Sequence, residues 1–197
     1  MCRFIETLAH IHGHYPLLDW HQKRVNETFA NFYPEKKAPP LLNFLPYLPD
    51  EHLLKIRVIY DEAIRSVTYE PYLRKFPASM RVLHADTLDY NYKYEDRSEI
   101  QKLFGNSDQF DEILIVQNNQ ITDCSYANVC FWRKDQWITP DTYLLNGVMR
   151  QKLLNEGVIQ EEKISVDQLK QFTYLSLINA LNEPGDIVIP TENILQF

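Results

Sequence analysis

The chain has 197 residues, of which 45% are hydrophobic and 24% charged, and its formal net charge is −7. This is the composition of an ordinary globular protein, long enough to bury a core and to hold one domain or two small ones. Lysine and arginine occur in runs no longer than a pair, so a nucleic-acid-binding surface, which needs clustered cations, is not expected.

The cysteines and the apolar runs predict a cytoplasmic protein with no membrane partner. Cys2, Cys124 and Cys130 are odd in number and form no C-x-x-C pair, which argues against a disulfide framework and a zinc knuckle. Apolar runs such as "EILIV" are too short to span a bilayer, and the first ten residues do not resemble a signal peptide.

The first third of the chain predicts a hairpin, a helix and two further strands. Residues 3–18 hold two apolar-rich runs around Gly13, as a hairpin does, and residues 18–33 carry a helical apolar face after an N-cap residue. A proline-dotted connector follows. Two strands are then expected over residues 53–60 and 64–72.

The pattern pauses at residues 73–80, and a domain boundary is expected there. The division is a small N-terminal α/β lobe over residues 1–75 and a cofactor-binding lobe over residues 79–197. The second lobe is expected to be rich in strands, with a helix closed by Gly157. Its predicted elements are "MRVLHAD", a helix "SEIQKLF", "DEILIV", "ITDCSYANVCFW", "WITP", a helix "NGVMRQKLLNEG", "SVDQLKQF" with a capping pattern, "TYLSLINA" and "DIVIP". The chain is therefore expected to be α+β in two lobes.

"DYNYKYEDR", residues 89–97, places Lys93 among three tyrosines. Partial burial would help such a lysine to lose its proton near neutral pH, because desolvation disfavours the ammonium form. The alternative is a surface strand end with snorkelling side chains. This stretch alone leaves both readings open.

"HIHGH" places three histidines, His10, His12 and His14, at every second position, a spacing that could form a metal site on a strand. Gly13 lies inside the set, so a turn is expected to break that face. No metal site is therefore predicted, and the histidines are expected to be solvated in a hairpin.

Two further stretches could carry ligand-binding residues. Gly147 lies at the start of a helix, where unpaired N–H groups favour a phosphate, although a loop glycine is the simpler explanation. Asp123, Ser125 and Asn128 are polar residues in a stretch otherwise suited to burial, so they need partners, either a ligand or the backbone of a turn.

Taken together, these stretches resemble the class IV pyridoxal-phosphate aminotransferases, and among them the aminodeoxychorismate lyases most. "DEILIVQNNQITDCSYANVCFWRKDQWITP" and "NGVMRQ" resemble the family's T-E-x-x-x-x-N and G-[IV]-x-R motifs. Upstream, "FIET", "LLDWHQKRV" and "YKYEDR" resemble its F-E-T strand, its L-x-x-H-x-x-R helix and its lysine segment. The fold implied is α+β and two-lobed, like that of D-amino acid aminotransferase, with an α/β N-terminal lobe, a β-barrel-like C-terminal lobe and the cofactor between them.

The resemblance implies pyridoxal 5′-phosphate as cofactor and a role for each matching residue. Lys93 would carry the cofactor covalently and act as the acid/base. Asp123, where the family usually has glutamate, would pair with the pyridine nitrogen. Arg24 would hold the phosphate, with the backbone N–H groups of Val148 and Met149 after Gly147. Further cofactor-binding or pocket residues would be Arg97, Asn128 and Asn179.

The resemblance also implies a reaction and an assembly. The expected enzyme is a lyase of folate biosynthesis that converts 4-amino-4-deoxychorismate to 4-aminobenzoate and pyruvate. Arg97 lies four residues after Lys93, and Ser98 stands at the next position, where the transaminases tend to have a tyrosine. The alternatives are a branched-chain or D-amino acid transaminase and a non-catalytic cofactor-binding homologue. The family is dimeric, so a homodimer is expected. The N-terminal strand and loop usual in the family are missing before "FIET" and the connector between the lobes looks short, so a smaller pocket completed by the neighbouring subunit is expected.

Overall fold

The computed structural model describes residues 2–48, 52–105 and 110–195. The chain forms two compact units. The first consists of Met1–Leu73 together with Tyr92–Asp96, and the second of Arg74–Asn91 and Arg97–Phe197. The segment that contains Lys93 thus belongs to the first unit, although the chain on both sides of it belongs to the second.

The first unit is an antiparallel sheet covered by a helix. Its strands, in the sheet order β1-β2-β3, and its helices are β1 Phe4–His10, β2 Leu54–Tyr60, β3 Ile64–Pro71, α1 Leu18–Phe32 and a 3₁₀ helix Leu41–Asn43. β2 is apolar on the face that meets α1, and β1 contributes Phe4 and Leu8 to that face on either side of Glu6, so the sheet buries it against the helix. The core is formed by Phe4, Leu8, Val25, Phe29, Leu41, Leu54, Ile56, Val58 and Tyr60.

The segment Tyr92–Asp96 lies beside β1. Ile5 N donates to Lys93 O at 2.9 Å, and Glu95 N donates to Arg3 O at 2.9 Å. The rings of Tyr92 and Tyr94 pack against the core of this unit, with their centroids 6.4 and 5.4 Å from that of Phe4. These two tyrosines therefore anchor the lysine segment by apolar burial.

The second unit is built on a mixed sheet. Its elements are β4 Met80–His84, α2 Ser98–Phe104, β5 Glu112–Gln117, β6 Gln120–Cys124, β7 Asn128–Arg133, β8 Gln136–Pro140, α3 Val148–Asn155, β9 Ile159–Glu162, β10 Tyr174–Ile178, β11 Val188–Pro190, β12 Ile194–Leu195 and 3₁₀ helices Val166–Gln171 and Thr191–Asn193. Within the described residues the main strand order is β11-β10-β7-β6-β5-β4-β12, and β8 joins β7 to β9. The pairs β4–β5, β4–β12 and β8–β9 are parallel, and the other strand pairs are antiparallel.

The predicted α+β content is confirmed, as are the helices over residues 18–32, 98–104 and 148–155. The capping box of Ser165 and Gln168 is also present. None of the helices in the described part of the chain is long and apolar enough to cross a bilayer.

Two local predictions were wrong. The predicted hairpin over residues 3–18 does not form, because the chain beyond the turn enters α1 and only Ile11 and His14 bridge, so that β1 pairs with β2 instead. "ITDCSYANVCFW" is two strands, β6 and β7, separated by a turn at residues 125–127. Strands β9 and β12 were not predicted, since both are short and pair with distant segments.

Candidate active site

A buried carboxylate organises the first unit. Glu6 on β1 is fully buried and accepts two hydrogen bonds from Arg24 on α1, at 2.8 Å from Nε and 2.5 Å from Nη2. Burial raises the pKa of Glu6, but the charge and hydrogen bonds of Arg24, together with the contact to His21, outweigh burial and hold that pKa at about 2. Glu6 is therefore an anion at neutral pH and fixes the guanidinium on the inner face of α1.

The same carboxylate also fixes His21, one helical turn before Arg24. His21 Nδ1 lies 2.6 Å from Glu6 Oε2, and the imidazole is 1% exposed. Burial and the charges of Arg24 and Lys93 lower the pKa of His21, and together they outweigh the hydrogen bond and charge of Glu6, which raise it. His21 is therefore neutral at pH 7, and Lys93 is close enough to act on it electrostatically.

In the second unit, Asp123 is the buried carboxylate. It is 5% exposed and lies directly opposite Asn128, its partner across β6 and β7. Asn128 Nδ2 donates to Asp123 Oδ1 at 2.7 Å, and the backbone N–H groups of Leu144 and Leu145 donate to Oδ2 at 3.1 and 3.0 Å. Within the part of the chain that the structure describes, three of the four lone-pair positions of the carboxylate are thus filled, and the remaining one lies on Oδ1.

Burial dominates the acidity of this carboxylate. It raises the pKa of Asp123 to about 6, although the bonds from Leu145, Asn128 and Leu144 and the charge of Arg150 lower it. A cationic N–H donor at the remaining position would stabilise the ionised form. Asp123 is therefore suited to hold a protonated ring nitrogen.

Gly147 lies where a side chain cannot fit. A Cβ atom at this position would lie 2.0 Å from Asn128 Oδ1, and Asn128 is itself held by Asp123 and by Leu145 O, the latter at 2.8 Å. Gly147 is also the N-cap of α3. The first N–H groups of the helix, those of Val148 and Met149 among them, have no intrahelical acceptor. Their partial positive charge suits a phosphate.

Arg97 is held by the turn between β6 and β7. Its Nη2 donates to the carbonyl oxygen of Ser125. Ser125 in turn donates to the buried Glu112, through its N–H at 3.1 Å and its hydroxyl at 3.0 Å. Burial raises the pKa of Glu112, and the charge of Arg97 is among the influences that lower it. A guanidinium is thus fixed at the start of α2.

Arg150 ties the loop before α3 to β9. It is 2% exposed, donates to Pro140 O at 2.9 Å and forms an ion pair with Glu161. A longer contact of 3.4 Å joins it to Asn146 Oδ1. The loop that supplies the N–H groups to Asp123 is thereby held at both ends.

The predicted site residues therefore fall into two groups. Lys93 and Arg24 lie in the first unit, while Arg97, Asp123, Asn128, Gly147, Val148 and Met149 lie in the second. Asn179 Oδ1 accepts hydrogen bonds from Leu181 N and Asn182 Nδ2, so this side chain shapes its own turn.

No role was predicted for Glu6, His21, Glu112 and Arg150, although each takes part in these hydrogen bonds and ion pairs. The first two stand in the motifs "FIET" and "LLDWHQKRV", and Arg150 ends the motif "NGVMR". These motifs therefore contain the residues, but no pattern in the sequence indicates that the side chains of Glu6 and His21 are in contact. The cue for Glu112 was an acidic residue just before an apolar strand.

The histidines of "HIHGH" do not share one strand face. β1 ends at His10, and the chain turns at His12 and Gly13, both with positive φ. His10 is buried, so the prediction that it is solvated was wrong. Among the described residues, no group of three or more His, Cys, Asp or Glu side chains is placed to hold a metal ion.

The comparisons with known proteins agree on one family. The model of the family "Amino-transferase class IV" matches residues 91–187. An uncharacterized protein of Haemophilus influenzae is 35% identical over 187 residues, which cover 92% of this chain and 99% of the relative.

Among the solved structures that are similar in fold are one named as a lyase and one named as an aminotransferase. The crystal structure of a "putative 4-amino-4-deoxychorismate lyase" from Haemophilus somnus 129pt has 30% identity and a TM-score of 0.86, covering 92% of this chain and 97% of that one. The PLP-bound form of a hypothetical aminotransferase from Mycobacterium tuberculosis has a TM-score of 0.74 and 13% identity, covering 98% of this chain and 81% of that one. At that identity the second likeness shows the fold alone. The predicted class IV aminotransferase-like fold is thereby confirmed.

Proposed function

This chain belongs to the class IV aminotransferase family, and from that premise we propose that it is a lyase converting 4-amino-4-deoxychorismate to 4-aminobenzoate and pyruvate in folate biosynthesis. Enzymes of this family depend on pyridoxal 5′-phosphate, so the first question is whether the residues present fit that cofactor.

The residues fit. One lone-pair position on Asp123 Oδ1 remains for a pyridinium N–H, and the aspartate is buried, so the contact would be worth more than in water. The close approach of Gly147 to Asn128 leaves room for the backbone but none for a side chain at the start of α3. In the second unit the N–H groups of Val148 and Met149 at the start of α3 suit a phosphate. In the first unit the family resemblance gives Arg24 the role of a phosphate ligand. Two hydrogen bonds to Glu6, from Nε and Nη2, hold the guanidinium of Arg24 in place.

When bound, the cofactor supplies an aldehyde for amines and a ring that accepts electrons from the substrate carbon. Asp123 keeps the ring nitrogen protonated. Lys93 Nζ holds the cofactor and then accepts the proton from the substrate carbon that bears the amine. Loss of that proton and of the enolpyruvate side chain makes the substrate ring aromatic. The enolpyruvate gains a proton and ends as pyruvate, so no oxidant or second substrate is needed.

The choice of a lyase has two supports. The relative from Haemophilus somnus, 30% identical over nearly its whole length, bears that name. Arg97 is a fixed cation, bound to the Ser125 carbonyl beside the buried Glu112. A cation four residues after Lys93 suits a substrate that carries carboxylates, as aminodeoxychorismate does.

The observation that carries the proposal is the arrangement around Asp123: a buried carboxylate with one acceptor position remaining, next to a helix start that excludes a side chain. The test is to supply 4-amino-4-deoxychorismate alone and to assay pyruvate with lactate dehydrogenase. We expect pyruvate and 4-aminobenzoate in equal amounts, and neither from a Lys93→Ala variant.

The second arm supplies leucine or D-alanine with 2-oxoglutarate and assays glutamate. Glutamate formation without pyruvate from aminodeoxychorismate would replace the lyase with a transaminase, and no product in either arm would favour a non-catalytic homologue. As the family resemblance implies, we propose a homodimer in the cytoplasm. Light scattering on the purified protein would test the dimer.

A further inference from the structure

The carboxylate of Glu6 decides which nitrogen of His21 carries the hydrogen. Glu6 is an anion, because Arg24 and His21 together overcome the effect of burial and hold the pKa of Glu6 at about 2. An anionic carboxylate only accepts, so at the 2.6 Å contact the Nδ1 atom of His21 is the donor. The neutral imidazole then has a bare lone pair on Nε2.

Nε2 of His21 is buried and makes no hydrogen bond within the described residues, although His21 as a whole is 1% exposed. Buried polar atoms in proteins rarely lack a hydrogen bond. Where one does, a bound ligand, an ordered water or a functional role is the usual explanation. The atom lies on the side of the ring away from Glu6.

The neighbours of His21 show which ligand suits it. His21 and Arg24 are three residues apart on α1, so their side chains lie on the same face of the helix, and both bind Glu6. The charged groups that act on His21 are Glu6 from β1, Arg24 from α1 itself and Lys93 from the segment Tyr92–Asp96. In the protein alone, two cations and burial outweigh one anion and keep the imidazole neutral.

We propose that His21 is a second phosphate ligand beside Arg24, which takes up one proton from solvent on Nε2 when the dianionic phosphate of the cofactor binds and donates that hydrogen to a phosphate oxygen. This inference rests on the proposed function, since it presumes that Arg24 holds the cofactor phosphate. A dianion next to Arg24 reverses the local charge balance, and an opposite charge within about 4–6 Å favours the protonated form of an imidazole. Glu6 then holds the other end of the imidazolium, so both ring nitrogens are satisfied.

The consequence is that cofactor binding is coupled to proton uptake. Isothermal titration calorimetry measures this coupling directly, because the observed enthalpy changes with the ionisation enthalpy of the buffer in proportion to the protons exchanged. The ligand is pyridoxine 5′-phosphate, whose alcohol cannot condense with Lys93, titrated at pH 8 in Tris, HEPES and tricine. We expect uptake of close to one proton per ligand by the wild-type protein.

The test variant is His21→Asn, which keeps an N–H donor for Glu6 but cannot take up a proton. We expect its uptake to fall to near zero and its affinity for pyridoxine 5′-phosphate to fall about tenfold or more, as for one lost charge-assisted bond. The matched control is His12→Asn, the same change at an exposed residue whose φ of 49° asparagine tolerates. It should leave uptake and affinity unchanged.

Proton uptake that is absent from the wild-type protein, or unchanged in His21→Asn, overturns the proposal. If His21→Asn does not fold, ¹⁵N spectra of histidine-labelled wild-type protein decide instead. One of the six imidazoles must change from neutral to imidazolium on addition of the ligand, and spectra without such a change overturn the proposal too. If neither pyridoxine 5′-phosphate nor pyridoxal 5′-phosphate binds, it is the proposed function that fails, whereas binding without proton uptake refutes only the role of His21.

Discussion

Asp123 and Asn128 face each other across β6 and β7, and the amide of Asn128 donates to the carboxylate of Asp123 at 2.7 Å. Asn128 also donates to Leu145 O at 2.8 Å, while the N–H of Leu145 donates back to Asp123. The two side chains and one backbone unit therefore form a closed set of hydrogen bonds. These hydrogen bonds fix the orientation of the carboxylate before a ligand binds. Such preorganisation is needed in a site that holds a ring in one orientation.

Asp123→Asn should retain the yellow colour of the bound cofactor but lose most of its turnover. The amide is nearly isosteric, yet it cannot keep the ring nitrogen protonated, so the electron-accepting power of the ring falls while the bond to Lys93 does not. A charged contact of this kind is worth roughly 1.5–3 kcal/mol, which is about ten- to a hundredfold in rate. Absorbance and pyruvate release measure the two properties separately. An Asp123→Asn enzyme with full activity would remove this role from Asp123.

Lys93 should be the residue that carries the cofactor. Reduction of the pyridoxal phosphate complex with borohydride should leave the label on the peptide that contains Lys93, as peptide mass spectrometry can show. Lys75 and Lys102 serve as internal controls, since both lie near in sequence and neither belongs to the segment Tyr92–Asp96. Label on either of them would contradict the assignment.

Gly147→Ala should destabilise the protein and weaken cofactor binding. The new methyl group would lie 2.0 Å from Asn128 Oδ1, and Asn128 cannot move without breaking its bonds to Asp123 and Leu145. We expect a loss of about 1–3 kcal/mol in the free energy of unfolding, the usual cost of leaving buried polar groups unsatisfied. Urea unfolding provides the measurement.

The matched test of that mechanism is the double variant Gly147→Ala with Asn128→Ala. Removing the asparagine side chain removes the clash, so the two changes together should cost less than the sum of their separate costs. Strict additivity would show that the glycine is required for another reason.

Acid should destabilise the protein through two groups of the first unit. The pKa of Glu6, about 2, is below its usual value of 4.5, so its stabilising effect is complete above pH 4.5 and is lost as the pH falls towards 2. The difference corresponds to roughly 3 kcal/mol in the free energy of unfolding. His21 also has a lowered pKa, so stability falls as the pH drops below 6.5, where the unfolded chain binds a proton first.

Urea unfolding midpoints between pH 3 and pH 8 test this. Glu6→Gln should be less stable at pH 7, but its stability should depend less on pH below 4.5. Glu70→Gln is the matched control, because Glu70 is an exposed partner of Lys55 and should have little effect. Parallel profiles for the wild-type protein and Glu6→Gln would contradict the prediction.

The sequence predicts the positions of the helices and strands better than it predicts which strands pair with each other. The apolar face of α1 and the capping box of Ser165 are local patterns, so they can be read directly from neighbouring residues. The partner of β1 cannot, because β2 is separated from it by α1 and a proline-rich connector. The "HIHGH" turn looks locally like the tip of a hairpin, and only the long-range pairing with β2 decides otherwise.

The candidate site divides in the same way. Asp123 and Asn128 are five residues apart, so a turn brings them together, and the motif predicts both. Glu6, His21 and Arg24 come from a strand and a helix, and their meeting depends on how α1 packs on the sheet. No periodicity encodes that contact. The tyrosines beside Lys93 suggested a special environment, whereas in the structure Tyr92 and Tyr94 are partly buried and pack against the core of the first unit, which holds the segment in place.

The pairing of Lys93 with β1 also has a consequence for the order in which the chain can fold. Lys93 O accepts from Ile5 N, a contact between residues roughly 90 positions apart, and the closure of so long a loop is entropically costly and slow. On the ribosome, β1, α1, β2 and β3 are all synthesised well before the segment Tyr92–Asp96 emerges. The edge of β1 that binds this segment therefore stays unpaired until the segment has been synthesised. An exposed strand edge in a nascent chain can pair with the wrong strand. We expect the lysine segment to dock late and to set the rate at which newly made chains become competent to bind the cofactor.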